Sequence, residues 1–341
     1  MTESIASPPQ SGPPPSGSAP VSPPSPRPRS TASNGGAVLV TGICGRLGKH
    51  LARVLHRDRR VVGVDRRPFL DKPKDIDHAQ VDIRRKKLKD VFRLGDIAAV
   101  VHLGVMHDPR ASAAEHHSWN VAGFSKLLEY VAHFRVPKLV VLSSANVYGP
   151  QPSNPQFLTE DAPLLGGQEF SDIRDLVEVD MLAQGFFWKL PETETVILRA
   201  VHILGEVHNA PSNFLRHDPI MTVMGFDPMV QVIQQADIVQ AVELALVPGI
   251  RGIFNLAGPE PAPVSQLIKI LGRQRVSVPY SLARMVLQRM WSLRLTTFPV
   301  PELDHIRFVC MVDDGRARQI LGFTPRRSLA ETVRSVDDGR W

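Results

Sequence analysis

The chain has 341 residues, with 40 Lys or Arg against 34 Asp or Glu, a formal net charge of +6. The basic residues are scattered among acids, without aromatic interleaving, zinc-ligand spacing or a basic-helix pattern, which argues against a nucleic-acid-binding protein. No apolar run reaches transmembrane length, no secretory leader pattern is present, and Cys44 and Cys310 stand alone, so a reducing, cytoplasmic compartment is expected.

Residues 1–36 hold ten of the thirty prolines and almost no large apolar side chain besides Ile5 and Val21. Such a segment cannot bury enough area to offset its ordering entropy, so a disordered Pro/Ser-rich tail is expected. Its Pro-x-x-Pro spacings would suit an aromatic groove on a protein partner.

From Ala37 onward, strand-like and helix-like segments alternate. Val38-Leu-Val-Thr-Gly-Ile-Cys-Gly-Arg-Leu-Gly48 is an apolar run that empties into Gly42, Gly45 and Gly48. It reads as a buried strand, Ala37–Thr41, turning on glycine into a helix that begins at Arg46. A turn without side chains lets backbone approach a pyrophosphate, whose charge the N–H groups of the helix start then bind. Leu51 to Arg60 keeps helical spacing, and Val61–Asp65 reads as a second strand. Asp65 closes it about twenty residues beyond the turn, where a carboxylate accepts hydrogen bonds from both adenosine ribose hydroxyls. The same charge repels a 2′-phosphate and favours NAD, while Arg66 and Arg67 leave NADP open.

Further strands are expected at Ala79–Ile83, Ala98–Leu103, Lys138–Ser143, Thr195–Arg199 and Gly252–Leu256. These short, continuous apolar runs signal strands buried on both faces of a parallel sheet. Helices are expected at His117–Phe134, Leu176–Lys189 and Ile238–Leu246. Arg84 to Lys89 is a basic cluster that reads as a solvated helical face. The fold class is α/β, a doubly wound parallel (Rossmann) sheet with a smaller C-terminal substrate lobe. We place the dinucleotide-binding part at 37–200. The lobe takes most of 201–341, interleaved with the last sheet strands over about 229–256, and a ligand would sit in the crevice between them. Within the lobe, Leu282 to Arg294 is amphipathic; packing against the lobe's own core is expected, with a membrane surface or apolar substrate as alternatives.

These motifs together resemble the extended short-chain dehydrogenase/reductase superfamily, in its NAD-dependent epimerase/dehydratase group. Thr41-Gly-Ile-Cys-Gly-Arg-Leu-Gly48 is similar to its Thr-Gly-x-x-Gly-x-x-Gly signature, and Val81-Asp-Ile83 to the segment whose aspartate contacts adenine. His102-Leu-Gly104, Asn120-Val-Ala-Gly123 and Leu142-Ser-Ser-Ala-Asn-Val-Tyr-Gly-Pro150 follow in the family's order. Later come Ile197-Leu-Arg199, Phe254-Asn-Leu-Ala-Gly258 and Arg316 to Pro325, so the likeness spans residues 37–335. It implies a cofactor site built from Gly42, Cys44, Gly45, Arg46, Leu47, Asp65, Arg66, Asp82, Ile83, Leu103, Gly104, Asn120 and Arg174. It also implies a homodimer paired through Asn120–Phe134 and Leu176–Lys189.

The family's chemistry uses a tyrosine whose pKa a lysine four residues on depresses, assisted by a serine. Ser144, four residues before Tyr148, fills the serine position. The matching run after Tyr148 is Phe170-Ser-Asp-Ile-Arg174-Asp-Leu-Val-Glu178, so Phe170 replaces the tyrosine and Arg174 the lysine. A two-residue shift would align Asp172 and Leu176 instead. Phe170 has no proton to exchange, whereas Arg174 keeps a positive charge and donors for ribose hydroxyls. Tyr148, Asp172 and His102 are the remaining candidate acid/base groups. His102, His107, His116 and His117 read as loop and helix-surface residues; a metal site would want ligands converging from separate elements, and none is assigned.

Three readings follow from the resemblance. One is an NAD-dependent nucleotide-sugar epimerase or dehydratase with non-standard or attenuated catalysis. A second is a non-catalytic NAD(P)-binding regulatory or scaffold protein. The third is a reductase or dehydrogenase of a lipid-like hydroxyl substrate.

Overall fold

The computed structural model describes residues 36–106, 111–151, 153–168, 171–207, 209–293 and 310–339. The Pro-rich tail up to residue 35, His107 and Phe170 lie outside the described residues.

The apolar runs assemble into one seven-stranded parallel sheet. Its strands are β1 (Ala37–Thr41), β2 (Val61–Asp65), β3 (Asp77–Gln80), β4 (Ile97–His102), β5 (Lys138–Ser144), β6 (Glu194–Ala200) and β7 (Gly252–Leu256). Their order is β7-β6-β5-β4-β1-β2-β3. Strand order therefore reverses beside β1, which pairs with β2 on one side and β4 on the other. In open α/β sheets the crevice at such a reversal, off the carboxyl ends of the strands, is where ligands bind. Thr41 pairs with both Val64 and His102, so the ends of these three strands stand level at that edge.

Both faces of the sheet are covered, which explains why the strands read as unbroken apolar runs. Val38 and Val40 pack with Leu51 and Leu55 of α1 (Arg46–Leu55) and with Val239 and Val242 of α6 (Gln235–Ala245). Leu39 and Val100 pack on the other face with Phe92 of α2 (Leu88–Gly95) and Phe124 and Leu127 of α4 (Gly123–His133). There they meet Val179 and Ala183 of α5 (Ser171–Lys189). α4 continues α3 (Ala113–His117) through one wider, π-helical turn at Ser118–Ala122.

The structure departs from the sequence reading in several element bounds. β3 starts at Asp77 and ends at Gln80 rather than running from Ala79 to Ile83. The Val81 N–H still reaches the Asp65 carbonyl at 2.9 Å, and Asp82 then accepts the Arg84 backbone N–H at 2.9 Å, turning the chain out of the sheet. α5 starts at Ser171, five residues earlier than expected, because its polar first turn carries no apolar period to detect.

Helix α7 (Tyr280–Ser292) packs, as expected, against a small core of its own lobe, made of Val223, Ala283 and Leu287. It leaves Leu282 and Met285 exposed. Around it, the described residues of 201–234 and 258–339 form three pairs of short strands and a further core of Leu204, Leu215, Leu267 and Val333. Among the described residues, no helix is long and apolar enough to cross a membrane.

Candidate functional site

The glycine turn is built of backbone packed against backbone. Gly42 has φ +73°, and a β-carbon there would lie 2.8 Å from Gly104 Cα. Only glycine meets both conditions at low cost. The Gly45 N–H donates to the Gly42 carbonyl at 3.0 Å, closing the turn, and α1 follows directly. No acidic side chain sits in the first turn of α1, so its N–H groups face the crevice without a competing anion on their own helix. Arg46 reaches outward to the Glu206 carbonyl at 2.7 Å, and Leu47 packs part-buried on the core beneath.

Asp65 occupies the expected corner, but its carboxylate is already engaged. One oxygen accepts the Cys44 backbone N–H at 3.1 Å, and the Arg67 guanidinium forks onto both oxygens at 3.2 Å. The Arg67 backbone N–H adds a further bond at 2.9 Å. Burial, followed by the nearby Asp65 charge, pushes the Cys44 thiol up to about 11, so this cysteine is protonated and unreactive at neutral pH.

Next to this corner lies a stack that the sequence reading did not foresee. Arg66 and Arg84 each place a guanidinium 5.0 Å from the Trp119 ring centre, and the indole N–H donates to the Gly104 carbonyl at 3.2 Å. Arg84 also forks onto Asp82. Burial alone would raise the Asp82 carboxyl, but the Arg84 hydrogen bonds hold it below the usual range. Ile83 is buried in the second core, and a β-carbon at Gly123 would meet its side chain. Asn120 clamps the chain after β4, accepting the Met106 N–H at 2.7 Å and donating to the Met106 carbonyl at 3.3 Å. Leu103 and Gly104 sit on that clamped segment, so the structure gathers Gly42, Asp65, Asp82, Gly104 and Asn120 around one edge. Trp119 carried no signal beyond being the neighbour of Asn120.

His102, at the end of β4, bonds through Nδ1 to Thr41 Oγ1 at 2.8 Å and lies tilted against the Phe124 ring, and among the described residues its Nε2 has no hydrogen-bond partner. Complete burial lowers its pKa to about 4. It is neutral when folded and takes a proton only when unfolded between about pH 6.5 and 4, so stability must fall as pH drops through that window. His102→Gln is expected to remove this dependence, worth at most about 3 kcal/mol between pH 7 and pH 4. Urea unfolding of both proteins across that range checks it; parallel curves would show that His102 is not the titrating group.

Of the expected catalytic positions, Ser144 ends β5 and Arg174 lies on α5. Ser144 accepts the Asn146 N–H at 3.2 Å and so caps the short turn Ala145–Tyr148. Tyr148 is buried, donates to Asn255 Oδ1 at 2.7 Å and accepts from Arg199 at 2.8 Å; burial raises its hydroxyl to about 12. A hydroxyl so placed is a structural donor and not a proton shuttle. Arg174 is exposed on α5 with Gly167 against its backbone, and no hydrogen bond joins it to Ser144 among the described residues. Leu176 and Val177 instead lie part-buried on the first core, as do Leu103 and Leu142.

The sequence and the fold both have known relatives. The sequence profile of the NAD dependent epimerase/dehydratase family matches residues 38–217. An uncharacterized protein of Mycobacterium tuberculosis is 26% identical over 314 residues, covering 88% of this chain and 82% of its own length. The UDP-glucose 4-epimerase of Dictyostelium discoideum is 29% identical over 197 residues, 53% of this chain and 55% of that protein. Among solved structures, UDP-glucuronic acid 4-epimerase from Bacillus cereus, in complex with NAD, superposes with a TM-score of 0.70 at 18% identity. That superposition covers 89% of this chain and 98% of the epimerase.

Proposed function

Because the chain belongs to the NAD-dependent epimerase/dehydratase family, we propose that it binds NAD at the β1–α1 turn and a nucleotide sugar in the adjoining crevice, with attenuated or non-standard proton transfer. What supports this reading is a contrast in the sequence. Gly42, Gly45, Gly48 and Asp65 match the family's cofactor signature, whereas Phe170 and Arg174 align with its acid/base pair.

NAD supplies a hydride acceptor when bound. The chain's own work is to hold it. The N–H groups opening α1 take the pyrophosphate charge, and Asp65 accepts ribose hydroxyls once Arg67 yields. The Arg66–Trp119 stack offers a flat cationic face to the adenine end. Arg174 brings a permanent positive charge and ribose donors, but its fork does not reproduce an ammonium beside a tyrosinate. With Phe170 at the tyrosine position, no hydroxyl is available there to take the substrate proton.

The expected result is stoichiometric NAD binding with little turnover of UDP-glucose or UDP-glucuronic acid. General acid–base catalysis contributes roughly 10²–10⁴-fold, so Phe170→Tyr with Arg174→Lys is expected to raise turnover by up to that factor. Calorimetry with NAD and sugar-nucleotide assays by chromatography measure both. Failure to bind NAD overturns the reading. Full binding with no gain in the double variant would move the acid/base positions elsewhere on α5.

The same substitutions favour a second reading, a non-catalytic NAD-binding protein that works through contacts. It predicts NAD binding without any nucleotide-sugar binding. We also infer a homodimer through α4 and α5, supported by exposed Met181 and Trp188 on α5. A reducing, cytoplasmic setting is supported by the two free cysteines.

A further inference from the structure

One cluster of ligand-bearing side chains has no part in the site described above. His117 is the last residue of α3, while Asp175 and Glu178 stand three residues apart on one face of α5. His117 Nδ1 lies 3.3 Å from Asp175 Oδ1 and 3.8 Å from Glu178 Oε2, and one ligand atom from each residue falls within 4.8 Å of the other two. The ligands thus converge from two helices that are 58 residues apart in the chain.

The charges around this cluster do not balance. The Asp175 side chain is only 7% exposed, and a buried carboxylate needs a compensating cation. Among the described residues, neither Asp175 nor Glu178 has a Lys or Arg within ion-pair distance, neighbouring Arg174 included; His117 is the basic group that reaches them. Arg84 comes near, through Ser118, but its guanidinium is committed to Asp82. With the imidazole neutral, as a metal ligand requires, the three side chains carry two uncompensated negative charges. One dication would cancel them.

We propose that His117, Asp175 and Glu178 bind a first-row transition-metal dication of the zinc class. One imidazole nitrogen with two carboxylate oxygens is a mixed set that such ions accept, whereas Ca²⁺ and Mg²⁺ prefer oxygen alone. Three protein ligands leave positions for water, and the half-exposed His117 and Glu178 give the ion a way in. The ion ties α3 to the first turns of α5, so it braces the helix segment that carries Arg174 against the one that leads into Asn120. It is a positioning site, independent of what the crevice binds.

The test uses the full chain without an affinity tag, stripped with EDTA and titrated with Zn²⁺ by calorimetry and with Co²⁺ by visible absorption. The expected result is one equivalent of Zn²⁺ per chain, not displaced by millimolar Mg²⁺, and a Co²⁺ spectrum of a nitrogen/oxygen site. His117→Ala and Glu178→Gln, both on the exposed side of the cluster, are each expected to weaken binding by at least ~10-fold, and Asp175→Asn by more. Absence of stoichiometric binding overturns the proposal, as does binding that the His117 and Glu178 variants leave unchanged. Loss of stability in His117→Ala without any metal binding would identify the cluster as an ion pair only, and would equally overturn it.

Discussion

Asp180→Asn is expected to lower the free energy of unfolding by about 3–5 kcal/mol, the cost of removing one partner of a buried ion pair. Asp180 and Arg199 are almost wholly inaccessible, at 0% and 1% side-chain exposure. Arg199 donates from Nε and Nη2 to the two carboxylate oxygens at 3.0 and 2.7 Å. The Ser143 hydroxyl donates to the same carboxylate at 2.6 Å, and Arg199 Nη1 is shared between the Tyr148 hydroxyl and the Glu160 carbonyl. Tyr148 passes the chain of bonds on to Asn255, which ties β7 to Leu158 and Asp313. Asparagine has nearly the shape of aspartate, so the loss isolates charge from volume. It leaves a guanidinium buried without its counter-ion in surroundings that cannot repack. Guanidinium unfolding at neutral pH measures the effect. A loss under about 1 kcal/mol would mean that the hydrogen bonds carry the network and the charge does not.

Gly48→Ala is expected to weaken NAD binding by at least ~10-fold, about 1.4 kcal/mol, while the protein still folds. A β-carbon at Gly48 would press on the Gly42 carbonyl oxygen and come within 2.8 Å of Ile43 Cα. All of these atoms are backbone and none can swing aside, so α1 must back away from the turn. The N–H groups then leave the positions from which they meet a pyrophosphate, while the sheet beneath is untouched. Gly45→Ala is the informative contrast. Its β-carbon would sit 3.1 Å from the same oxygen, a gap that a shift of a few tenths of an ångström relieves. Calorimetric titration of both variants with NAD decides; equal affinities would show that the turn does not hold the cofactor.

β1, β2 and β7 were readable in the sequence because each is a nearly continuous apolar run, and they begin and end where those runs do. β3 was misplaced because it is an edge strand of Asp, His, Ala and Gln, with too little burial to leave a pattern. The glycine turn was readable because its constraint is local: a few residues, one backbone geometry. Partnerships across the chain were not. Asp180 with Arg199, Trp119 between Arg66 and Arg84, and His117 against Asp175 each depend on which helix lands beside which strand. No spacing rule relates residues 19 or 58 positions apart. How much of α7 stays exposed was left open in the sequence for a different reason. An amphipathic period states that one face differs from the other, but not which face is covered.

The fork of Arg67 on Asp65 makes this side chain an intramolecular competitor for the same carboxylate that a ribose would use. Its effective concentration is fixed by the chain, so dilution cannot remove it, and each bound nucleotide has to displace it. Removing the competitor, as in Arg67→Ala, should tighten binding of a nucleotide with free ribose hydroxyls. For a 2′-phosphorylated nucleotide the displaced guanidinium is a counter-ion, and its removal should weaken binding. One substitution thus moves the two affinities in opposite directions. Cofactor preference in this protein becomes a partition problem: how often one guanidinium rests on its own carboxylate, and how often it is free to meet a phosphate.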